Sequence, residues 1–246
     1  MNFNIIVPMA GAGSRFTQAG YKKPKPFIDV LGKPMILHVL ENLNIKNARY
    51  ILICREEHLL SEPDTVKELE NNYNIEFIPI NYLTEGAACT VLHAHKFINN
   101  DEPLLIANSD QIVDMNISDY IQDNFERNLD GSILTFEDNH PKWSFAKIDA
   151  NGIVTEVKEK EPISNYATVG IYLFTKGRTF VESAIDMIVR NDRVNNEFYV
   201  CPVYNYSIKE GSKIGIYNID KDQMHGTGTP EDLNLYIDFK KGLASV

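Results

Sequence analysis

Short, unbroken apolar runs alternate with longer mixed stretches through the first half of the chain. Residues 4–9 form a compact run rich in β-branched side chains, the mark of a strand buried on both faces. Runs over 50–54, 75–80 and 103–107 read the same way. Between them, Met35, Leu37, Val39, Leu40 and Leu43 predict a helix over 35–43. Helices are also expected over 66–73 and 87–97, with Pro63 interrupting whatever precedes the first of these. Strands alternating with helices imply a parallel sheet covered on both faces. After residue 110 the rhythm changes. Runs over 132–136, 145–149, 153–158 and 169–174 read as strands with little helix between them, and Asn151-Gly152 marks a hairpin. A helix over 177–190 and a late strand over 213–219 follow. Thr229 then caps a last helix, with Pro230 at its first position and Glu231-Asp232 in its first turn. The expected architecture is α/β: a mostly parallel, mixed central sheet with helices on both faces, in one continuous domain over 1–246.

Composition narrows the possibilities. The chain has 246 residues, 43% of them hydrophobic, which is ample for a continuous core. A net charge of −10 argues against a sequence-independent grip on nucleic acid or an anionic membrane. The charge is uneven, however. Within residues 1–37, Arg15, Lys22, Lys23, Lys25 and Lys33 stand against Asp29 alone. A basic island in an acidic chain is either a local anion site or a solvated loop. Cys54, Cys89 and Cys201 are widely separated and odd in number, so no disulfide scaffold and no Cys-x-x-Cys zinc pair is expected. They read as small hydrophobes in a reducing cytosol. No apolar run reaches the roughly 18 residues that span a bilayer, and the amino terminus lacks the pattern of a secretory leader. A cytoplasmic protein is expected.

Candidate chemistry begins directly after the first strand, at Ala10-Gly11-Ala12-Gly13-Ser14-Arg15. Glycines let backbone N–H groups turn toward an anion with no Cβ in the way. A dinucleotide fingerprint wants a third glycine where Phe16 stands, and a Walker loop wants Gly-Lys-Ser/Thr; neither is present. What remains is a glycine turn that can hold a triphosphate, with Arg15 placed for bidentate contact. Lys25 follows between Pro24 and Pro26, a point charge on a stiffened segment, suited to stabilising a developing negative charge. Asn108-Ser109-Asp110 ends a buried strand, where open α/β sheets bind ligands. His93 and His95 lie two apart on a helix and do not share a face.

In this order and spacing, the glycine turn, Pro-Lys-Pro and Gly32-Lys33-Pro34-Met35-Ile36 resemble the opening of the sugar-phosphate nucleotidyltransferases. The resemblance runs to the last helix. It implies a Rossmann-like core in which residues 1–125 bind a nucleoside triphosphate and 126–246 bind a small phosphorylated acceptor, with pyrophosphate released. By position, Gly11, Gly13, Ser14 and Arg15 would hold the triphosphate, with Ala10 and Ala12 in the same turn. Lys25 would sit at the α-phosphate, and Asp110 would be the Mg2+ ligand, flanked by Asn108 and Ser109. Glu85-Gly86-Ala87-Ala88 falls where the family has Gln-Gly-Thr-Ala, the segment that reads the base. Lys160 would contact the acceptor's phosphate, although the inserted Glu161 leaves Lys158 as the alternative. Thr168 and Gly170 would face the acceptor, with Glu197 nearby, and Trp143-Ser144-Phe145-Ala146 replaces the family's Tyr-Gly-Val-Val. Many members carry Asp-x-Gly-Thr, whose aspartate is a second metal ligand, where this chain has Gly226. Either Asp220, Asp222 or His225 compensates, or one protein carboxylate suffices.

The altered base and acceptor segments argue against an ordinary glucose-1-phosphate enzyme, and the set of Met9-Ala10-Gly11-Ala12-Gly13-Ser14-Arg15-Phe16, Glu197-Phe198-Tyr199 and the Gly226-Thr227-Gly228-Thr229-Pro230 ending resembles enzymes of capsule and surface-polysaccharide pathways, most of all cytidylyltransferases that join CTP to phosphoglutamine. A UTP- or dTTP-dependent sugar-1-phosphate enzyme is the near alternative. A glycosyltransferase with a related core would be expected to show Asp-x-Asp, and Asp110 is followed by Gln111-Ile112. A nucleotide sensor without turnover also stays open, as does assembly into a homo-oligomer.

Overall fold

The computed structural model describes residues 3–242. Its first half is built from β1 (Phe3–Met9), α1 (Ser14–Gln18), the two-residue strands β2 (Asp29–Val30) and β3 (Lys33–Pro34), α2 (Met35–Asn42), β4 (Ala48–Arg55), α3 (Glu56–Ser61), α4 (Pro63–Asn72), β5 (Ile75–Ile80), α5 (Ala87–Leu92), α6 (His95–Ile98) and β6 (Leu104–Ala107). The second half adds β7 (Gln111–Val113), α7 (Ile117–Glu126), β8 (Gly131–Glu137), β9 (Ser144–Ile148), β10 (Val154–Glu159), β11 (Tyr166–Phe174), α8 (Gly177–Val189), α9 (Val203–Lys209), β12 (Ile214–Ile219), β13 (Met224–Gly226) and α10 (Pro230–Lys240).

One nine-stranded sheet runs through both halves in the order β10-β9-β11-β6-β1-β4-β5, with β8 paired to β11 and to β12. β1 lies parallel to both β4 and β6, and β4 lies parallel to β5. β11 is antiparallel to β6, which makes the sheet mixed, as the sequence pattern implies. Alternate residues of each strand face opposite layers. Ile5, Val7, Met9, Leu52 and Leu105 pack with Leu37, Leu40, Leu69 and Tyr120, beneath α2, α4 and α7. Ile6, Ile51, Ile53 and Ile106 pack with Val91, Phe180, Met187 and Tyr204, beneath α5, α8 and α9.

The elements depart from the sequence reading in three places. The helix expected over 87–97 breaks into α5 and α6. Ala94 N–H reaches back to Val91 O and Phe97 N–H to Ala94 O, tight i−3 bonds that end one helix and start the next. The break seats Ile98 against Gly177, where a Cβ would stand 2.2 Å from Ile98 O. Pro63 begins α4, because a first-turn proline loses no helix hydrogen bond. Four helices, α1, α3, α7 and α9, stand where the pattern predicts none; α7 carries a readable start signal, since Asn116 accepts from Ser118 N–H at 3.2 Å. The expected hairpin forms between β9 and β10, with Gly152 at φ +75 and the Asp149 carboxylate accepting from the Asn151 and Ile153 N–H groups.

Candidate active site

Because β1 and β6 are adjacent and parallel, the segments leaving their carboxyl ends lie side by side. This pairing brings the 11–15 turn next to Asn108-Ser109-Asp110. Gly13 takes the left-handed conformation (φ +60), and its carbonyl accepts from the N–H groups of Phe16 and Thr17, starting α1. Phe16 is fully buried in a satellite cluster with Ile28, Val30, Met35, Ile112, Leu233 and Tyr236. The residue that breaks the dinucleotide fingerprint therefore pins the turn to the scaffold. An ideal Cβ at Gly13 would sit 3.3 Å from Lys25 Cβ, so the glycine admits the lysine segment. Pro24 precedes a single 3-10 turn over Lys25–Phe27 that holds Pro26 within it, with Pro26 and Phe27 buried. The Lys25 ammonium is delivered to the Asp110 carboxylate, and the two form a close ion pair, each side chain about one-fifth exposed (19% and 20%).

Asp110 is itself fixed. Thr227 donates to its main-chain oxygen twice, from N–H at 2.8 Å and from its hydroxyl at 3.0 Å. Gly228 lies against the carboxylate: a Cβ there would stand 2.9 Å from Oδ2. Across β11, Asn108 N–H donates to Gly170 O at 2.9 Å. Gly170 has φ +94, and a Cβ on it would meet Asn108 Nδ2 at 2.3 Å, so the glycine makes room for the Asn108 side chain.

Two cavities meet at Asp110. The first, about 480 Å³, is lined by Gly11, Gly13, Ser14, Arg15, Lys25, Ser109, Glu197 and Gly228, among others. The second, about 330 Å³, is lined by Gln111, Lys142, Trp143, Ser144, Glu159, Lys160, Thr168, Gly170, Tyr172 and Cys201, among others. Arg15, Ala87, Asn108, Asp110 and Tyr199 border both. Most sequence-derived candidates thus converge, but not all reach the cavities. Ala10 is buried and Ala12 points away into solvent. Glu85 pairs with Arg193 at 2.8 Å outside both linings. Glu197, expected beside the acceptor residues, lines the first cavity.

Gly86 is structural. Phe198 N–H donates to Glu85 O (2.7 Å) and Ala88 N–H to Phe198 O (2.9 Å), so the two chains run in contact. With φ +123, and a would-be Cβ 2.4 Å from Phe198 O, only glycine fits. Gly86→Ala is expected to cost about 2–4 kcal/mol of stability, read as a lowered urea midpoint.

The second cavity holds residues that the sequence did not single out. Glu159 accepts a close hydrogen bond from the Ser144 hydroxyl. Burial raises its pKa, opposed by that bond and by the Lys160 charge. Beneath it, burial holds Tyr172 and Cys201 well above their ordinary values, so both stay protonated, and Thr168 shares a 3.0 Å hydrogen bond with Tyr172. Trp143 Nε1 and Gln111 Oε1 are buried without a hydrogen-bond partner. Glu159 was hidden in a run of charges; its signal is the strand alternation that turns Val157 and Glu159 inward together. Lys160 takes a left-handed backbone (φ +58), which aims its ammonium at Tyr199: 2.7 Å from the hydroxyl and 4.6 Å from the ring centroid. Lys158 instead pairs with Glu156 at 3.6 Å, outside both linings.

Among the described residues, no group of three or more His, Cys, Asp and Glu side chains could hold a metal ion. Asp220 caps the turn to Gln223, and His225 bonds Asp114 at 2.9 Å, which also pairs with Lys240. Neither they nor Asp222 border the cavities. Gly226 pairs with Gln111 across β13 and β7 and offers no donor. What the donor set fits is a hard cation held by the Asp110 carboxylate and completed by phosphate oxygens and water.

A nucleotidyl transferase family model matches residues 5–202. Over 214 residues the chain is 25% identical to a UTP–glucose-1-phosphate uridylyltransferase of Haloferax volcanii, covering 76% of this chain and 84% of that one. It is 26% identical over 175 residues to the catalytic subunit beta of a mannose-1-phosphate guanylyltransferase of Drosophila melanogaster, covering 69% of this chain and 47% of that one, about half its length. The crystal structure of a nucleoside-diphosphate-sugar pyrophosphorylase from Vibrio cholerae RC9 shares the fold with a TM-score of 0.81 at 24% identity, covering 95% of this chain and 99% of that one.

Proposed function

The chain belongs to the nucleotidyl transferase family, and on that premise we propose that it joins CTP to a small amino-acid phosphate such as phosphoglutamine, releasing pyrophosphate in capsule or surface-polysaccharide precursor synthesis. One observation carries the transfer itself, whatever the base: two cavities of different character share Asp110 and Arg15 at their border. A triphosphate in the first and a phosphorylated acceptor in the second would meet there. The acceptor's phosphate is largely ionised at neutral pH and needs no general base. It attacks the α-phosphorus in line; the bond to the β-phosphate oxygen breaks, and pyrophosphate carries away the charge. Catalysis is then positioning and charge neutralisation. Arg15 and Lys25 stabilise the charge on the α-phosphate, and the 11–15 turn holds the β- and γ-phosphates. Asp110 would hold Mg2+, which supplies Lewis-acid stabilisation of the phosphate oxygens.

An acceptor bearing an ammonium group suits the Glu159 carboxylate, and one with both donor and acceptor groups satisfies Gln111 Oε1 and Trp143 Nε1. A second reading, UTP or dTTP with a sugar 1-phosphate, is favoured by the named activity of the Haloferax relative. A screen of four nucleoside triphosphates against glutamine phosphate and a panel of sugar 1-phosphates, scored by pyrophosphate release, separates the two. Release only with sugar 1-phosphates removes the amino-acid phosphate.

Lys160→Ala is expected to raise the acceptor KM about tenfold or more with the nucleotide KM unchanged, whereas Lys158→Ala changes neither. Equal effects would return Lys158 to consideration. Glu159→Gln is expected to raise the acceptor KM as well, and it carries a pH signature. Its carboxyl ionises later in the folded than in the unfolded protein, so it costs stability as pH rises from the ordinary glutamate range through its raised value. The variant is therefore at least as stable as wild type at neutral pH, with the difference closing as pH falls below that range. Urea midpoints measured against pH report it.

A further inference from the structure

We propose that Lys25 and a divalent cation take turns on the single Asp110 carboxylate, so that the protein binds the cation only together with the nucleoside triphosphate. The inference rests on the nucleotidyl-transfer reading for its nucleotide, but its metal chemistry comes from this chain's own residues.

The Lys25 ammonium occupies Asp110 Oδ2, and the pair is mostly shielded from water. The carboxylate has little freedom to serve another partner. Its main chain is held by Thr227, and Gly228 closes one side so nearly that a Cβ there would stand 2.9 Å from Oδ2. No further acidic, histidine or cysteine side chains complete a metal cluster among the described residues. Gly226, directly across the β13–β7 ladder from Gln111, is where another carboxylate could stand, and it has no side chain. A magnesium-like ion surrenders its water reluctantly and needs carboxylates together with phosphate oxygens. One carboxylate, already neutralised by an ammonium, offers too little.

A triphosphate changes both halves of the balance. Its oxygens supply the missing ligands, and its charge gives Lys25 an alternative partner. The ammonium moves from Asp110 to a phosphate oxygen, and the carboxylate passes to the cation. Lys25 thus reaches the reacting phosphate only when the metal–nucleotide complex is seated. Reciprocity follows: cation and nucleotide each raise the other's affinity by the same factor.

The test uses Mn2+ as the probe, its free-ion resonance signal reporting binding, with α,β-methylene CTP as a nucleotide that cannot react. Wild-type protein alone should leave the Mn2+ signal at its free intensity, and with the analogue the signal should fall below the level that Mn2+ and analogue reach without protein. Lys25→Met releases the carboxylate. Gly226→Asp supplies a second one, at a position with no heavy atom within 4 Å of an added Cβ and an ordinary backbone. Each variant should bind Mn2+ without nucleotide about tenfold or more tightly than wild type. The proposal is overturned if wild type alone binds Mn2+ as tightly as with the analogue, or if either folded variant gains no nucleotide-free affinity. Failure of wild type to bind the α,β-methylene analogues of CTP, UTP and dTTP alike would strike the nucleotidyl-transfer reading, while the nucleotide-free arms still judge the exchange.

Discussion

Lys25→Ala lowers turnover by about a thousandfold, a loss of about 4 kcal/mol of transition-state stabilisation, with the nucleotide KM changing far less. The reason is geometric. Lys25 stands on a 3-10 turn between Pro24 and a buried Pro26, and Gly13 lets that turn press against the phosphate-side loop. Its backbone is fixed before the reaction begins, so only the side chain has to pass from Asp110 to the phosphate, and little reorganisation is spent when charge develops at the α-phosphorus. Removing it leaves Asp110 without its ion partner, but in a cleft that water enters; the expected cost to stability is about 1–2 kcal/mol. Steady-state kinetics beside a urea titration separates the two effects. A variant with full turnover would remove Lys25 from the reaction.

Asp110→Asn has the second large effect, about a hundred- to a thousandfold in turnover. Asparagine keeps the size of the side chain and the main-chain oxygen that Thr227 holds, so the fold has no cause to change. What disappears is the negative charge shared by both cavities. Without it, Lys25 loses its partner in the free protein, and a cation on the triphosphate loses its protein ligand. The fall should persist at magnesium concentrations that saturate wild type. Recovery on adding more magnesium would mean that Asp110 tunes affinity alone.

How much of this was legible beforehand differs by residue. β1 and β6 announce themselves because both of their faces are buried, so every position but Asn4 is apolar, and their parallel pairing fixes where the loops after them must meet. Lys25 was readable because prolines flank it. α5 and α6 were read as one helix because local spacing cannot register the approach of Ile98 to Gly177, a contact between distant segments. α9 was missed because Tyr204 and Tyr206 read equally well as strand residues. Glu159 is hidden for a different reason: within Lys158-Glu159-Lys160-Glu161 every side chain looks solvated, and only alternation counted from Val157 along β10 marks the one that turns inward. The choice between Lys158 and Lys160 likewise depends on the left-handed backbone at Lys160, which no residue-type preference foretells.

The central claim is transfer of the α-phosphoryl group at the border of the two cavities. Its most direct measurement follows phosphorus label through the reaction, using CTP labelled at either the α- or the γ-phosphate together with the phosphorylated acceptor. Label from the α-position should appear in a product joined to the acceptor, label from the γ-position should appear in pyrophosphate, and both should depend on Lys25. Appearance of the γ-label in inorganic phosphate, or of the α-label in pyrophosphate, would contradict it.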